Sequence, residues 1–213
     1  MRHVLLIGGA GYIGTAITQY LLDNNIRVRI LDKFIYNNKK AIDRFLKLDL
    51  FSFVEGDFCK ISDVISSLNE ITDVVILGGL VGDPITKKYP KLSEEINNLG
   101  IKNCINVLNN KNLKKVIFIS TCSNYGLIKN DEIADEKFEL KPLSLYAKAK
   151  VEIEKFILAK KNDKIDYEPV ILRFATAFGE SPRMRFDLTI NEFIFDLINE
   201  KKLIVYDPDT WRP

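Results

Sequence analysis

The feature that most restricts the fold of this chain is a short apolar run that turns through closely spaced glycines into a helical pattern. Residues 4–7 are apolar and include β-branched side chains, as in a buried parallel strand. The letters GGAGYIG follow, with glycines at positions 8, 9, 11 and 14. Behind them, apolar residues recur at helical spacing. A strand that passes through glycines into a helix N-terminus is a phosphate-binding arrangement.

Three of these glycines have different expected tasks. Gly8 allows the chain to turn sharply, Gly11 lets the backbone approach a pyrophosphate, and Gly14 lets the helix pack close to the strand. The spacing is Gly-x-x-Gly-x-x-Gly rather than the commoner Gly-x-Gly-x-x-Gly. A tight strand–helix turn without any ligand is therefore the alternative interpretation.

The next predicted strand leads directly into Asp32. An acid roughly 20 residues beyond the glycines is expected to accept hydrogen bonds from an adenosine ribose, and its charge would repel a 2′-phosphate. The pattern therefore predicts NAD as the cofactor in preference to NADP, although the adjacent Lys33 weakens that preference. A helix cap or a solvated loop acid is the alternative for Asp32.

The composition argues against several classes of function. The 213 residues carry a formal net charge of +2, with lysines and acids interspersed, so no nucleic-acid partner is predicted. No apolar run reaches the ~18 residues that span a membrane, and no signal peptide is visible. The 3 cysteines lack metal-ligand spacing, which favours a reduced, cytoplasmic location. With His3 as the 1 histidine, neither a histidine-based triad nor a metal site is predicted.

Strand and helix patterns alternate along the whole chain. Strands are predicted near residues 3–7, 27–31, 51–54, 73–77, 114–119, 168–173 and 203–206. Helices are predicted near residues 12–24, 41–48, 61–69, 91–110, 145–160 and 187–200. This βαβ alternation predicts an α/β fold with a doubly wound parallel sheet and helices on both faces.

Ligands of such a sheet collect beyond the carboxyl ends of its strands. After the third strand, Asp57 could hydrogen-bond an adenine amino group, with Phe58 beside the ring; an ordinary strand-end acid is the alternative. After the fourth strand, Gly78 and Gly79 would let the cofactor lie against the backbone, or would only make the loop flexible. Asn97, in the helical pattern 91–110, either holds backbone near the site or is an exposed polar helix residue.

A tyrosine and a lysine at helical spacing are the candidate catalytic pair. Ser144 is a fair N-cap for a helix in which Tyr146 and Lys150 share one face. A tyrosine with its usual pKa of about 10 can act as a base only if its phenolate is stabilised, and a neighbouring ammonium does so. Lys148 points elsewhere. Such pairs also arise by chance in lysine-rich chains, so the order of the motifs carries the specificity.

Taken together, these motifs resemble the extended short-chain dehydrogenase/reductases, and within them the NAD-dependent nucleotide-sugar epimerase/dehydratase family. The resemblance covers essentially all 213 residues. It rests on these segments: GGAGYIG, the strand-end Asp32, Gly56-Asp57, Asn97-x-x-Gly100, STCSNYG at 120–126, YAKAK at 146–150, and LRFATAFG at 172–179.

The resemblance implies a role for each matching residue. Tyr146 would be the general base, and Lys150 would favour loss of its proton and bind the nicotinamide ribose. Thr121 would hydrogen-bond the reacting hydroxyl, with Ser123 sharing that work, although a turn-stabilising hydroxyl is the alternative for Thr121. The implied cofactor contacts are Gly8, Gly11, Tyr12, Ile13, Gly14, Asp32, Asp57, Phe58, Gly78, Gly79, Asn97, Ser120, Tyr146 and Lys150.

The resemblance also implies a substrate-facing segment near the C-terminus. Asn191 would bind the nucleotide-sugar diphosphate with Arg183 assisting, and Arg212 matches an arginine that clamps the pyrophosphate in relatives. A solvated loop is the alternative for Arg183. Relatives continue past this point with residues that complete the sugar pocket. We therefore expect a Rossmann domain over residues 1–175 and a partial substrate-binding region over 176–213.

One departure from the family narrows the expected reaction. Family dehydratases carry Asp-Glu directly after the catalytic Thr, where this chain has Cys122 and Ser123. We therefore predict a nucleotide-sugar epimerase acting at C4 through a 4-keto sugar. A reductase of 4-keto-sugar nucleotides and a catalytically silent NAD-binding protein are the alternatives. The resemblance implies a homodimer formed through the 91–110 and 145–160 helices.

Overall fold

The computed structural model describes residues 2–129, 132–162 and 165–205, and a sheet of six strands lies at its centre. The strands are β1 (His3–Ile7), β2 (Arg27–Asp32), β3 (Phe51–Glu55), β4 (Asp73–Ile76), β5 (Lys115–Thr121) and β6 (Glu168–Phe174). All neighbouring strands pair in parallel, in the order β3-β2-β1-β4-β5-β6. The predicted doubly wound parallel sheet is confirmed.

Helices connect the strands. They are α1 (Tyr12–Asp23), α2 (Ile61–Ser67), α3 (Asp83–Lys88), α4 (Pro90–Glu94), α5 (Ile101–Leu108), α6 (Leu145–Asn162) and α7 (Thr189–Ile198). A π-helical segment, Glu95–Gly100, joins α4 to α5, and 3₁₀ turns cover Lys39–Phe45 and Cys122–Tyr125.

The chain winds outward from β1 in both directions, because β2 and β3 lie on one side of it and β4, β5 and β6 on the other. The strand order therefore reverses between β1 and β4, and a crevice for ligands is expected beyond their carboxyl ends. The backbone N–H of Gly8 donates to Leu31 O at 2.8 Å, and that of Gly78 donates to Ile7 O at 2.9 Å. These bonds extend the pairing of the strands to the floor of the crevice.

The two faces of the sheet bury separate apolar clusters, because successive side chains of a strand point to opposite faces. From β1, Leu5 and Ile7 enter the cluster that is covered by α2, α5 and α6. Val4 and Leu6 enter the other cluster, which also contains Leu22 of α1. A strand buried on both faces must be apolar throughout, which explains the uninterrupted run in the sequence.

Four of the sequence-based assignments differ from the structure. The predicted strand at 203–206 is irregular over residues 203–205, and residue 206 lies outside the described residues. Its residues have no pairing partner in the described sheet, and a lone strand has nothing to satisfy its backbone. The predicted helix at 41–48 is a 3₁₀ turn over Lys39–Phe45, and α3 was not predicted.

The predicted helix 91–110 is interrupted by the π-helical segment Glu95–Gly100. A Cβ on Gly100 would lie 2.5 Å from the sulfur of Cys59. The glycine therefore permits the close packing that its presence inside a helical pattern indicated. Single π-helical turns inside α-helices occur often at functional sites.

Candidate functional site

The glycine turn after β1 brings two strand ends together. Gly8 has a φ of +76°, a conformation that favours glycine. A Cβ on Gly8 would lie 2.6 Å from the backbone nitrogen of Gly78. A Cβ on Gly14 would lie 2.6 Å from the Cα of Gly9, so Gly14 packs α1 against the turn itself and not against the strand.

Gly11 plays a different part from its neighbours. The nearest contact of a Cβ on Gly11 would be Gly8 O, at 3.4 Å, so the space above Gly11 is open toward the crevice. Tyr12 and Ile13 start α1 directly after it, and no side chain of the described residues caps this helix. The N–H groups of the first turn are thus available to an anion, and the helix dipole favours one there.

Asp32 ends β2 beside this turn. Its Oδ2 accepts from the N–H of Ala10 at 3.0 Å, and its Oδ1 accepts from the N–H of Phe34 at 2.8 Å. Burial raises the pKa of Asp32, against the effect of these backbone bonds and of the Arg183 charge. A carboxylate has about four acceptor sites, so Asp32 retains lone pairs for ribose hydroxyls beside these bonds.

Asn38 is a neighbour of Asp32 that the sequence did not single out. Its side-chain amide donates to Ala10 O at 2.7 Å, which fixes the glycine turn from the side of β2. Its Oδ1 is buried and has no hydrogen-bond partner among the described residues. An unpaired acceptor so near Asp32, the residue predicted to bind the ribose, fits a ligand that carries hydroxyl groups.

Asp57 and Phe58, at the end of β3, have partners within the chain. Asp57 Oδ2 lies 2.8 Å from Lys33 Nζ, and Oδ1 accepts from the N–H of Cys59 at 2.9 Å. Burial would raise the pKa of Asp57, but these two interactions lower it. The Phe58 ring packs on Gly78, where a Cβ would lie 2.7 Å from it. Asp57 is therefore paired with Lys33, and Phe58 packs on the loop after β4. An adenine contact of either residue stays a prediction.

Asn97 clasps the loop that follows β4. Its Oδ1 accepts from the N–H of Leu80 at 2.8 Å, and its Nδ2 donates to Leu80 O at 3.0 Å and to Ser93 Oγ at 3.1 Å. Gly79 has a φ of +152°, and a Cβ there would lie 2.7 Å from Asn97 Oδ1. The buried amide thus fixes the backbone beside Gly78 and Gly79.

The hydroxyl-rich loop after β5 divides its side chains between two tasks. Thr121 ends the strand, and its Oγ1 accepts from the N–H of Ser123 at 3.2 Å. Ser120 is buried, and its hydroxyl donates to Glu154 Oε1 at 2.5 Å. The sequence predicts a cofactor contact for Ser120, but the hydroxyl points inward, so only its backbone could face a ligand.

Tyr146 and Lys150 come together on α6, which begins beside β5. Ser144 Oγ accepts from the N–H of Ala147 at 3.1 Å, as an N-cap does. Lys150 Nζ donates to Ile119 O at 2.7 Å and lies 5.7 Å from the centre of the Tyr146 ring. Lys148 is exposed to solvent, which agrees with its expected orientation.

Lys150 is a buried cation. Its Nζ also lies 4.5 Å from the centre of the Phe118 ring, an arrangement that stabilises an ammonium without a counterion. Burial lowers the pKa of Lys150 to about 8, and the charge of Glu154 opposes that shift. The ammonium is thus largely retained at neutral pH, next to the phenol of Tyr146.

Asn191 fastens the segment after β6 to the glycine turn. Its Oδ1 accepts from the N–H of Gly179 at 3.0 Å, and its Nδ2 donates to the hydroxyl of Tyr12 at 3.1 Å and to Arg185 O at 2.9 Å. The Tyr12 hydroxyl in turn donates to Gly179 O at 2.6 Å. The side chain predicted to bind the substrate diphosphate is therefore buried and bonded within the chain.

Ser181 adds a second connection between this segment and α1. Its hydroxyl donates to Tyr12 O at 2.7 Å and lies 2.9 Å from the hydroxyl of Thr15. No local pattern in the sequence indicates these contacts. They nevertheless place the segment over the first turn of α1.

Two arginines of the same segment face the crevice. The guanidinium of Arg183 lies 5.4 Å from the centre of the Tyr36 ring, and its charge acts on Asp32. It therefore lies near Asp32, the residue predicted to bind the adenosine ribose, and its contact with the substrate diphosphate stays a prediction. The pKa of Arg185 is raised, first by its hydrogen bond to Asp187 and also by Tyr36 and Tyr146. Arg212 lies outside the described residues.

The described residues contain neither a metal-ligand cluster nor a membrane-spanning segment. No three His, Cys, Asp or Glu side chains among them are grouped as ligands of a metal ion. Every helix of residues 2–129, 132–162 and 165–205 is too short or too polar to cross a bilayer.

The fold and the site define a class: a doubly wound domain with a dinucleotide-type glycine turn and a Tyr-x-x-x-Lys pair at the end of β5. Residues 4–211 match the NAD dependent epimerase/dehydratase family, and the chain belongs to that family.

Known relatives agree with that assignment. The chain is 30% identical over 181 residues to the UDP-glucose 4-epimerase of Lactobacillus helveticus, a match that covers 84% of this chain and 52% of the relative. It is 26% identical over 215 residues to a putative UDP-glucose 4-epimerase of Methanocaldococcus jannaschii, covering 98% of this chain and 68% of the relative.

A solved structure shows the same architecture. The UDP-glucuronic acid 4-epimerase of Bacillus cereus, in complex with UDP-glucuronic acid and NAD, superposes with a TM-score of 0.83 at 26% identity. The match covers 95% of this chain and 65% of that one. This chain thus spans about half to two-thirds of the length of these relatives.

Proposed function

We propose that this protein binds NAD in the crevice at the end of β1 and β4 and epimerises a nucleotide-sugar at C4. The observation that carries the proposal is the buried Lys150 ammonium, 5.7 Å from the ring of Tyr146 at the end of β5. Its relatives include UDP-glucose and UDP-glucuronic acid 4-epimerases, one of them in complex with NAD. A UDP-sugar is therefore the proposed substrate class.

The crevice fits the cofactor at the level of its residues. The open space above Gly11 and the uncapped N-terminus of α1 suit a pyrophosphate. Asp32 offers acceptors to the adenosine ribose, and its charge disfavours a 2′-phosphate. The backbone around Gly78 and Gly79, held by Asn97, would flank the cofactor farther along the crevice.

Each residue of the reactive end has a proposed task. NAD supplies a reversible hydride acceptor when bound. Tyr146 takes the proton of the C4 hydroxyl as the carbon is oxidised, and it returns the proton after the 4-keto sugar has presented its other face. Lys150 favours the phenolate of Tyr146 by its charge. Thr121, with Ser123, hydrogen-bonds the reacting hydroxyl.

Two neighbouring side chains favour epimerisation over dehydration. Removal of water across the sugar needs an acid and a base at the next carbons. Cys122 and Ser123 stand at the positions where family dehydratases carry Asp-Glu. Neither a thiol nor an alcohol supplies the two carboxyl groups of that acid–base pair.

Arginines of the segment after β6 are the proposed contacts of the substrate diphosphate. Arg183 and Arg185 border the crevice from the segment after β6, and Arg212 follows beyond the described residues. We propose that an arginine of this region pairs with the substrate diphosphate, with Asn191 holding the segment in place. Homodimerisation through α4, α5 and α6 is also proposed.

The test uses purified protein, UDP-glucose as the probe, and detection of UDP-galactose. We expect interconversion without net change in NADH, and a loss of at least about 100-fold in kcat for Tyr146→Phe and Lys150→Met. Lys148→Met removes an exposed lysine from the same helix and serves as the matched control. Equal turnover by Tyr146→Phe and the wild type would contradict the proposal.

The same assay separates the alternatives. Stoichiometric consumption of NADH with a 4-keto-sugar nucleotide would identify a reductase. Calorimetric binding of NAD without binding of UDP-glucose or another UDP-sugar would identify a silent binding protein.

A further inference from the structure

Glu154 is a buried carboxylate one helical turn beyond Lys150. Its side chain is 2% exposed, and it forms an ion pair with Arg173 of β6, whose NH2 lies 2.7 Å from Oε2. The Nε of Arg173 donates to the same carboxylate at 3.1 Å, which makes the pairing bidentate. Neither Glu154 nor Arg173 has a task in the proposed reaction.

The carboxylate also holds the loop that follows β5. Its Oε1 accepts from the hydroxyl of Ser120 at 2.5 Å and from the side-chain amide of Asn124 at 2.7 Å. The amide of Asn124 also donates to Ser120 Oγ at 3.0 Å. Thr121 and Ser123 lie between these two anchor residues, so Glu154 fixes both ends of the turn that carries the proposed substrate contacts.

The other side of the network is closed by an aromatic side chain. Arg173 NH1 donates to the hydroxyl of Tyr125 at 3.0 Å, and the guanidinium lies 5.0 Å from the centre of that ring. Arg173 thus bonds both Glu154 and Tyr125, and its NH1 also donates to Glu136 O at 3.4 Å.

Lys150 is the cation that Glu154 faces from within α6. Residues four apart lie on one face of a helix, about 5–6 Å apart at Cβ. On α6 the ionisable neighbours of Lys150 are Glu154 and Tyr146, and β5 presents only Ile119 O and the Phe118 ring to its Nζ. Arg173 and Tyr125 lie behind Glu154, and Arg185 acts on the crevice side at Tyr146.

We propose that Glu154, held by Arg173, is a positioning residue of this site: it fixes the turn that carries Thr121 and keeps the buried Lys150 charged. This inference rests on the proposed function in giving Lys150 a task toward Tyr146. Burial lowers the pKa of Lys150 and the Glu154 charge opposes that shift, which agrees with the geometry. Glu154 touches neither substrate nor cofactor in this scheme and acts only through its neighbours.

The sign of the expected effect follows from the charge. Without the Glu154 carboxylate, the protonated form of Lys150 is less stable, so its pKa falls further below the ordinary value. At an effective dielectric constant near 20, loss of a unit charge about 5–10 Å away shifts a pKa by about one to two units. Lys150 would then be mostly neutral at a pH of about 8.

The first experiment measures Lys150 directly, with no substrate present. Protein labelled with ¹³Cε-lysine is titrated by NMR, and the resonance of Lys150 is assigned by its absence in Lys150→Met. We expect a midpoint of about 8 in the wild type, because burial of Lys150 lowers its pKa. In Glu154→Gln we expect the midpoint to be about one pH unit lower. Glu152→Gln, an exposed glutamate of the same helix, is expected to leave the midpoint unchanged.

A second variant separates charge from fold. Glu154→Gln leaves the partly buried Arg173 without its charged partner and is expected to be less stable. The double variant Glu154→Gln/Arg173→Gln removes both charges, so neither is left unpaired. Arg173 lies behind Glu154 and its loss opposes the effect only in part, so the lowered midpoint should persist at a smaller size in the folded double variant. A midpoint equal to that of the wild type would overturn the inference.

The second experiment reads the same effect in turnover of UDP-glucose. The alkaline limb of kcat, where the ammonium is lost, should move to lower pH by about one unit in Glu154→Gln and by less in the double variant, with little change in KM. A uniform loss of kcat without movement of the limb would show a merely structural pair and contradict the inference. If the wild type does not turn over UDP-glucose, the proposed function fails for that substrate, while the NMR midpoint still decides the role of Glu154.

Discussion

The glycines at positions 8 and 11 are needed for different physical reasons. Gly8 is fixed by its own conformation, because its φ is +76° and the backbone of Gly78 occupies the space of a Cβ. Gly11 has an ordinary φ of −78° and open space above it. One glycine therefore serves the fold, whereas the other keeps the crevice accessible.

A pair of alanine substitutions tests this distinction. Gly8→Ala is expected to lower the free energy of unfolding by about 2 kcal/mol or more, because of the strained φ and the collision with Gly78. Gly11→Ala is expected to change it by less than about 0.5 kcal/mol but to weaken NAD binding by at least about tenfold, which is ~1.4 kcal/mol. Urea unfolding and calorimetry measure the two quantities. Equal NAD affinity of Gly11→Ala and the wild type would show that the cofactor does not approach this backbone.

Residue-level features could be predicted where the determinants lie close together in sequence. Tyr146 and Lys150 share a helical face by spacing alone, and Asp32 follows its strand directly. The partners of Glu154 could not be predicted, because Arg173 is 19 residues away and reaches it only after β6 has joined the sheet. The sequence did carry one sign of Glu154, since it continues the Tyr146–Lys150 face by one more turn.

At the level of elements, the segment after β6 is attached to the start of α1 by side chains far apart in sequence. The contact between Asn191 and Tyr12 spans 179 residues. Tyr12 is predicted as a cofactor contact, but its hydroxyl donates to Gly179 O and accepts from the Asn191 amide. The substrate-side segment is thus anchored on the helix whose N-terminus is proposed to receive the pyrophosphate.

Removal of one hydroxyl tests this attachment. Tyr12→Phe leaves the ring in place but removes the donor to Gly179 O and one of the acceptors of the Asn191 amide, which should destabilise the segment by about 1–3 kcal/mol. We expect faster amide hydrogen exchange over residues 179–198 with little change in the sheet. Tyr20→Phe, at an exposed position of the same helix, is the matched control. Equal exchange rates in Tyr12→Phe and the wild type would contradict the anchoring role.

Helices and strands could be predicted where burial of one or both faces imposes a regular spacing of apolar residues on the sequence. The six strands of the sheet were found because apolar runs and their glycine ends are local signals. The π-helical segment was not found, because α- and π-helices share one apolar pattern over a few residues. The irregular stretch at 203–205 has the composition of a strand, but a strand requires a neighbour, and the sequence does not say whether one exists.

At the scale of the whole molecule, strand order places the site. Reversal between β1 and β4 opens the crevice, and every strand-end residue singled out in the sequence falls on that edge of the sheet. The alternation of strands and helices was enough to predict this arrangement. Where the segment after β6 lies over the crevice was not predictable, since it depends on the contacts of Tyr12 and Asn191.

The outer surface of the helices beside β5 supports the proposed homodimer. The helical run from α4 to α5 lies against α6. A groove between them is lined by both uncharged and charged residues: Pro90, Ser93, Glu94, Asn98, Leu145, Lys148, Ala149 and Glu152. Leu99 and Leu158, on these two helical runs, are each 54% exposed. Exposed leucines on adjacent helices are typical of an interface between copies related by a twofold axis.

Charge placed on this surface should therefore separate the subunits. We expect the wild type to sediment as a dimer at micromolar concentration, and Leu99→Arg and Leu158→Arg to weaken association by at least about tenfold, because each arginine would face its own copy near the axis. Leu127→Arg, at a position 87% exposed and outside these helices, is the matched control. Sedimentation velocity checks the outcome, and unfolding curves verify that the variants remain folded. A wild type that sediments as a monomer would refute the dimer, whereas a dimer insensitive to both substitutions would place its interface on another face of the molecule.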